Sequence, residues 1–277
     1  MFKYIGIRGH RGSGKNTISY LLGTAINYLM THKSWDNFET TYEYAVHHIM
    51  LGDDVFSDHN LKYIYFEAFS DEPKILLSQL IGVKPSSLYN DWVKDSMIVN
   101  LKDFSYTQSK DKLELHAKLD RLKPYTAKTL KEAIDKDPNL LENDTYIVLR
   151  ELIIYYSKYV MQYYFGKNVW IKARGVNDWK EDSFYGTDYK TIYKIFTDCK
   201  FPSEISYIKD KSGVIVNVCR PDNVKNDTEI TNELAEDNRI DFEIELTTSN
   251  LFDYSIMNSI KLLTEKIINN DQRNCNI

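Results

Sequence analysis

The fold of this chain is indicated first by the stretch Gly9-His10-Arg11-Gly12-Ser13-Gly14-Lys15-Asn16, which is followed directly by Thr17. Its glycine and lysine spacing nearly matches GxxxxGK[ST], a pattern in which backbone amides surround phosphate oxygens and the lysine adds a cation. An apolar run at residues 4–7 precedes the stretch, and residues 18–30 carry apolar side chains at helical spacing. The stretch is therefore predicted to join a buried strand to a helix whose positive N-terminal end meets an anion.

The hydroxyl that normally follows the lysine is displaced by one residue, because Asn16 stands between Lys15 and Thr17. This Gly-Lys-x-Thr spacing is similar to that of nucleoside-monophosphate kinases and differs from that of GTPases and motor ATPases. We expect Thr17 to hold Mg²⁺ through its hydroxyl or through a bound water, since magnesium keeps part of its hydration shell beside phosphates. The spacing favours phosphoryl transfer to a small molecule over mechanical work.

Composition and charge narrow the range of partners. The chain has 277 residues, enough for a substantial core in one large domain or for two small domains. A net charge of -5 and a pI of about 5.7 argue against general affinity for the nucleic-acid backbone and leave free nucleotides as ligands. The three cysteines form no CxxC pair, and no apolar run is long enough for a membrane span. We expect a cytoplasmic protein with no membrane partner, and whether it forms a homodimer is left open.

Strand and helix patterns alternate along the chain, which predicts an α/β fold with a parallel sheet and helices on both faces. After the first strand, apolar runs predict strands over residues 61–66, 192–198, 214–219 and 241–246. Helical spacing predicts helices over residues 18–30, 71–80, 146–165, 202–211 and 252–268, with a short helix at residues 170–172. Residues 174–190 and 220–238 read as polar loops.

Two polar segments interrupt the alternating pattern. Residues 31–60 hold a tyrosine-rich stretch, and residues 84–144 are charged and broken by Pro85, Pro124 and Pro138. We interpret residues 31–60 as a partly helical insertion and residues 84–144 as a second insertion or a small helical subdomain, within a single domain that spans residues 1–277.

Aromatic residues recur at helical spacing within the predicted helix at residues 146–165. They are Tyr155, Tyr156, Tyr159, Tyr163, Tyr164 and Phe165. Packing inside a core is favoured over stacking on nucleotide bases, because this spacing is typical of a buried helix face.

The predicted strand at residues 192–198 ends in a carboxylate, Asp198. A hydrophobic run that ends in aspartate is typical of a Walker B element, and parallel strands place such terminal residues at the ligand edge of the sheet. Asp198 is therefore a candidate to orient Mg²⁺ or to bond the acceptor, and a plain carboxylate at the end of a strand is the alternative.

Several separated segments, in order, resemble the landmarks of phage deoxynucleoside-monophosphate kinases. Residues 12–17 are similar to the SGKDT loop, residues 69–74 to the FADPLK segment, residues 149–152 to the arginine helix, residues 169–172 to the WxK pair, residues 197–204 to DxRFPNE, and residues 216–221 to the strand that ends in Arg-Pro. The resemblance implies a P-loop kinase fold, ATP as donor, Mg²⁺ as counter-ion, a deoxynucleoside monophosphate as acceptor and a role in DNA precursor supply in an infected cell. The unmatched segments 31–60 and 84–144 then become candidates for an acceptor-side subdomain.

The resemblance also implies site residues. The ATP-binding residues would be Gly9, Arg11, Gly12, Ser13, Gly14, Lys15, Asn16, Thr17 and Arg220. The acceptor-binding residues would be Lys74, Arg150, Lys172, Asp198 and Lys200. Of these, Lys15, Arg150 and Asp198 are the expected catalytic residues, and Thr17 and Asp198 are the expected magnesium ligands. Arginine suits the acceptor phosphate because its guanidinium makes two parallel hydrogen bonds. A surface cation or an ion pair is the alternative for Arg150 and Arg220, and a solvated helix lysine is the alternative for Lys74 and Lys172.

The chain departs from the family pattern at three places. Asn16 replaces the usual aspartate, Lys200 stands where arginine is typical, and residues 241–244 lack the Asn-x-Gly turn expected after the last strand. Because lysine cannot make the planar two-bond contact of arginine, acceptor binding is expected to be looser or rearranged. Two other functions stay open: a P-loop kinase for an acceptor such as dephospho-coenzyme A or phosphomevalonate, and a nucleotide-binding regulatory protein without transfer activity.

Overall fold

The computed structural model describes residues 2–10, 12–51, 61–174, 191–220, 239–246 and 250–274. The chain divides into two compact units, of which the first comprises Met1–Phe69 with Trp179–Ile277 and the second comprises Ser70–Asp178. The predicted loops over residues 175–190 and 221–238 lie outside the described residues. The prediction of one domain with insertions at residues 31–60 and 84–144 stays a prediction.

The strands, in chain order, are β1 (Phe2–Arg8), β2 (Ile64–Glu67), β3 (Met97–Asn100), β4 (Tyr106–Gln108), β5 (Tyr146–Val148), β6 (Ile192–Phe196), β7 (Val214–Cys219) and β8 (Phe242–Glu245). The α-helices are α1 (Lys15–His32), α2 (Phe38–Leu51), α3 (Asp71–Ile81), α4 (Asp91–Ser96), α5 (Lys112–Leu122), α6 (Ala127–Lys136), α7 (Leu149–Ile154), α8 (Gln162–Phe165), α9 (169–174), α10 (Pro202–Asp210) and α11 (Tyr254–Asn274). Short 3-10 helices cover Pro85–Tyr89 and Pro138–Glu142, and a π-helix covers Tyr155–Met161.

The first unit contains a parallel sheet of five strands in the order β2-β6-β1-β7-β8. The central strand β1 lies between β6 and β7, with Ile5 opposite both Ile195 and Val214. Side chains of β1 from Tyr4 to Arg8 are buried, as expected for a strand covered on both faces. The predicted parallel α/β arrangement is confirmed at this level.

Helices flank this sheet on both faces. Ile5 and Ile7 share one core with α1, α2 and α11, in which Leu21, Phe38 and Ile260 are fully buried. Because side chains alternate along a strand, Tyr4 points to the opposite face. There it meets α10, where the ring of Tyr207 contacts it edge to face at a centroid distance of 6.3 Å. The part of the predicted 31–60 insertion that forms α2 therefore packs into the main core.

An ion pair is buried within the same sheet. Lys194 on β6 and Glu67 on β2 are 0% and 4% exposed, and their charged atoms lie 4.0 Å apart. The ammonium of Lys194 also lies 4.2 Å from the centroid of the Phe2 ring, at cation–π distance. Two neighbouring strands are thus linked by an ion pair that is buried away from water. Removal of one partner would leave the other charge buried and unpaired.

The second unit has its own core and its own sheet. Its three strands are antiparallel in the order β4-β3-β5, with Val99 opposite both Tyr106 and Ile147. Leu88, Val99, Leu130 and Ile147 are fully buried in its hydrophobic core. Residues 84–144, predicted as a second insertion or a small helical subdomain, contain the strands β3 and β4 as well as helices.

The long helix predicted over residues 146–165 is also modified. Residues 146–148 form β5, so the helix begins at Leu149, and a π-helix separates α7 from α8. Tyr155 and Tyr156 pack against the core of the second unit, as predicted for this aromatic run, whereas Tyr163, Tyr164 and Phe165 at its end are 71%, 73% and 62% exposed, which contradicts the prediction there. Among the described residues, no helix combines the length and apolar character that a membrane span requires.

Candidate functional site

The loop between β1 and α1, residues 9–14, is called the glycine loop. Gly9, Gly12 and Gly14 adopt φ angles of 149°, 78° and 92°, which side chains disfavour. A Cβ on Gly9 would lie 2.4 Å from the backbone oxygen of Val218, and one on Gly14 would lie 2.6 Å from Cδ1 of Leu246. The backbone conformation therefore favours glycine at both positions, and at Gly9 the nearby backbone oxygen also leaves no room for a side chain.

Helix α1 begins at Lys15 directly after the glycine loop. Among the described residues, no side chain caps this helix, and its first turn holds no acidic residue. The first amides of a helix have no carbonyl partner within the helix and sit at the positive end of its dipole. The hydroxyl of Ser13 is buried and also has no hydrogen-bond partner among the described residues. The loop thus offers hydrogen-bond donors and a positive field to an anion.

The ammonium group of Lys15 is folded back over the glycine loop. Its Nζ donates hydrogen bonds to the backbone oxygens of Gly9 at 2.8 Å and of His10 at 2.6 Å. The amide of Ser13 donates to the same His10 oxygen at 3.1 Å. The cation is therefore held at the loop by main-chain groups, which limits how far it moves.

The other residues predicted to bind ATP lie next to the glycine loop in the sequence or directly after the neighbouring strand β7. Asn16 is exposed and Thr17 is half-buried in the first turn of α1. Arg220 is half-buried directly after β7, two residues beyond the Val218 carbonyl that contacts Gly9. Arg11 lies outside the described residues.

Asp198 follows β6 at the same edge of the sheet. Its Oδ1 accepts a hydrogen bond of 2.7 Å from the amide of Phe69, which follows β2. The amide of Cys199 donates to the backbone oxygen of Ile7 at 3.0 Å, so this turn also joins the end of β1, two residues before the glycine loop. The structure thus places Asp198 and the glycine loop after neighbouring strands, and gives Asp198 a structural bond that the sequence did not predict.

Glu204, the second residue after Pro202 in α10, is buried beside this turn. Its Oε2 accepts hydrogen bonds from the amides of Lys200 at 2.6 Å and Phe201 at 2.9 Å. Burial, and next to it the charge of Asp198, raise the pKa of the Glu204 carboxyl to about 8, against the two amide donors. In the sequence, Glu204 stood out only as part of the DxRFPNE-like segment. An acid three residues after the N-cap, here Phe201, is the signal that identifies this contact.

Arg150 belongs to the second unit and is held by two carboxylates of α4. Its Nε and Nη2 contact Asp95, with Nη2 to Oδ2 at 3.0 Å, and Nη2 also donates to Asp91 at 3.0 Å. The hydrogen bonds to Asp95 raise the pKa of the guanidinium further above its usual range. Lys94, followed by Arg150, lowers the pKa of Asp91 to about 2. The positive charge of Arg150, the predicted acceptor arginine, is therefore already balanced by two carboxylates within its own unit.

The remaining acceptor-side candidates have weaker surroundings. Lys74 lies 3.6 Å from Asp71 within the first turn of α3, and Lys172 is exposed on α9. Arg174, which was predicted to lie in a loop, is the last described residue of α9; it is 9% exposed and lies 3.9 Å from Glu72. Lys74, Arg150 and Lys172 belong to the second unit, whereas Lys15, Asp198, Lys200 and Arg220 belong to the first.

Comparison with known proteins adds no relative. No protein-family model matches the chain, and a search of curated proteins found no match. Functional assignment therefore depends on the motifs and on the geometry of the described residues.

Proposed function

We propose that this chain is an ATP-dependent kinase of the P-loop type that converts deoxynucleoside monophosphates to diphosphates. The observation that carries the proposal is the glycine loop at the end of the central strand. It combines glycines that adopt positive φ angles, an uncapped helix start and an ammonium group held at the loop carbonyls. These features together suit the phosphate groups of a nucleotide. The segment resemblance then narrows the acceptor to a deoxynucleoside monophosphate.

In this proposal the donor phosphates bind at the glycine loop. The amides after Gly12 and the ammonium of Lys15 would bond phosphate oxygens, and Arg220 would add a cation from the end of β7. Phosphoryl transfer is catalysed mainly by positioning and by neutralising the charge that spreads over the transferred group. Lys15 is the residue best placed for both tasks, because it is bound to the loop itself.

The oxygen atoms available for Mg²⁺ are few but suitable. Thr17 lies in the first turn of α1, and Asp198 follows the neighbouring strand β6. Among the described residues, no group of three or more His, Cys, Asp or Glu side chains is arranged to hold a metal ion. This fits an ion bound mainly by nucleotide phosphates and water, with one or two protein oxygens. Bound there, Mg²⁺ would neutralise phosphate charge.

On the acceptor side, the proposal assigns phosphate binding to Arg150, with Lys74, Lys172 and Lys200 as further cations. Arg150 must then exchange a contact with Asp91 or Asp95 for the phosphate. Of the two carboxylates, Asp91 is the more exposed, at 78% against 45%, and is the easier to release.

The pairing of Arg150 with Asp91 and Asp95 favours one second candidate function, that of a nucleotide-binding regulatory protein without transfer activity. In that case Arg150 would be a structural residue of the second unit, and the glycine loop would bind nucleotide without turnover.

A coupled assay of ATP consumption separates these functions. The acceptor panel would contain deoxynucleoside and ribonucleoside monophosphates, dephospho-coenzyme A and phosphomevalonate, with nucleotide binding measured in parallel. Stimulation by a deoxynucleoside monophosphate supports the proposal, and stimulation only by another acceptor replaces the substrate. Nucleotide binding with no acceptor-dependent turnover supports the regulatory protein.

A further inference from the structure

The turn at residues 198–203, called the 198–203 turn, carries Asp198 and Lys200, the two acceptor candidates of the first unit. It leads from β6 into α10, and Phe201 precedes Pro202, the first residue of that helix. The amides of Lys200 and Phe201 precede that helix, and a carboxylate at the third helical position can reach back to accept such amides. The conformation of this turn therefore depends on a contact with the residue that accepts them.

Glu204 provides that contact. Its Oε2 accepts the amides of both Lys200 and Phe201, at 2.6 and 2.9 Å, and the residue is only 8% exposed. At the other end of the turn, the Asp198 carboxylate is bound to the amide of Phe69. The two acceptor candidates are thus fixed at opposite ends, Asp198 by Phe69 and Lys200 by Glu204.

We propose that Glu204 is a positioning residue, which holds the 198–203 turn so that Asp198 and Lys200 are arranged for the acceptor. Glu204 itself is buried beneath the turn and needs no contact with either substrate. The acceptor part of this inference rests on the proposed function, whereas the holding of the turn rests on the two hydrogen bonds alone.

Two variants of the full-length chain separate hydrogen bonding from other effects. Glu204→Gln keeps an oxygen that accepts both amides, whereas Glu204→Ala removes the acceptor. Asp241→Ala is the matched control, because the Asp241 carboxylate also accepts a backbone amide in the first unit, that of Ile215 at 2.6 Å. It does not bond to the 198–203 turn.

Two readouts are required. Hydrogen exchange of the peptide that covers residues 199–204 should become faster in Glu204→Ala, and should stay near that of the wild type in Glu204→Gln and Asp241→Ala. The KM for the monophosphate should rise about tenfold or more in Glu204→Ala, with the KM for ATP unchanged, because a displaced turn affects only the acceptor. Glu204→Gln should restore most of the acceptor KM.

Each contrary result has a definite meaning. Unchanged exchange in Glu204→Ala, or equal damage in Glu204→Gln and Glu204→Ala, overturns the holding of the turn by these hydrogen bonds. Equal rises in the KM values for acceptor and ATP overturn the acceptor part. If the wild-type chain turns over no acceptor, the proposed function and the acceptor part fail together, and the exchange result still decides whether Glu204 holds the turn.

Discussion

Lys15 is the single residue on which the proposed chemistry depends most. Its ammonium donates hydrogen bonds to two loop carbonyls. We expect Lys15→Ala to lower kcat/KM by about a hundredfold or more, equivalent to about 2.7 kcal/mol of transition-state stabilisation. Steady-state kinetics measure this loss, and thermal melting checks that the fold persists. Lys112→Ala, at an exposed position in α5, is the control. Equal turnover by Lys15→Ala and the wild type would remove the glycine loop from the mechanism.

Asp198 has a structural bond and a proposed chemical role, and substitution separates them. Asp198→Asn retains an oxygen for the Phe69 amide and loses only the charge. We expect it to cost on the order of a hundredfold in kcat/KM, with little change in melting temperature. Recovery at high Mg²⁺ would identify the metal as the partner, and recovery at high monophosphate would identify the acceptor.

Asp198→Ala additionally leaves the Phe69 amide without its partner, so the free energy of unfolding should fall by about 1–3 kcal/mol. Near wild-type efficiency of Asp198→Asn at low Mg²⁺ and low acceptor would leave only the structural role.

Arg150 is expected to act on the acceptor and not on ATP. Arg150→Ala should raise the KM for the monophosphate selectively, and Arg150→Lys should restore it only in part, because a single ammonium cannot make the planar two-bond contact. KM values for both substrates provide the measurement. Because the paired carboxylates are largely exposed, the change in stability should stay within about 1 kcal/mol. A selective rise in the KM for ATP would move Arg150 to the donor side.

At the scale of the element, the start of α10 should make stability depend on pH. The pKa of the Glu204 carboxyl is about 8 in the folded chain, against 4.5 for a glutamate carboxyl in an unfolded chain. The folded state therefore holds a proton that the unfolded state releases, so this contribution to stability is full below about pH 4.5 and is lost as pH rises through about 8. Denaturant unfolding at several pH values should give a smaller decline for Glu204→Gln than for the wild type. Parallel curves for the two proteins would contradict the raised pKa.

Sequence patterns predicted the elements of the first unit, and α3 of the second unit, far better than the strands of the second unit. The run Val214–Cys219 was predicted to the residue, and α3 and α10 were predicted within one residue at each end. Each is a long apolar run or begins with clear proline and acid signals, which are reliable. By contrast, β3 is a run of only four residues next to a charged segment, and β5 continues directly into α7 without a turn. Such short runs give no period that separates strand from helix.

The candidate site likewise has a part that the sequence predicts and a part that it does not. The glycine loop could be predicted because its glycines and lysine lie within one short stretch. The Phe69–Asp198 bond joins residues 129 positions apart, and the neutralisation of Arg150 by Asp91 and Asp95 spans more than 50 positions. Neither contact has a local pattern, so only the fold reveals it.

At the scale of the whole molecule, the second unit encloses a core that belongs to it alone. Leu88, Val99, Leu130 and Ile147 are each fully buried within residues 70–178. A segment with its own core is expected to fold independently. Residues 70–178 expressed alone should therefore give a cooperative thermal transition and a helical circular dichroism spectrum. Leu130→Ala in the isolated segment should lower its stability by about 2–5 kcal/mol. A non-cooperative transition in the unmodified segment would contradict its independence.

The close packing around the glycine loop has a consequence for descent. Gly9 is fixed by its backbone conformation and by the carbonyl of Val218, and Gly14 is fixed by its backbone conformation, whereas Lys15 bonds to carbonyls of the loop that it covers. In a homologue that has lost catalysis, selection would still remove substitutions at these two glycines, because such substitutions damage the fold. Substitutions at Lys15 would be tolerated. A homologue that retains both glycines has therefore inherited the architecture, and only one that also retains the lysine has been selected for the chemistry.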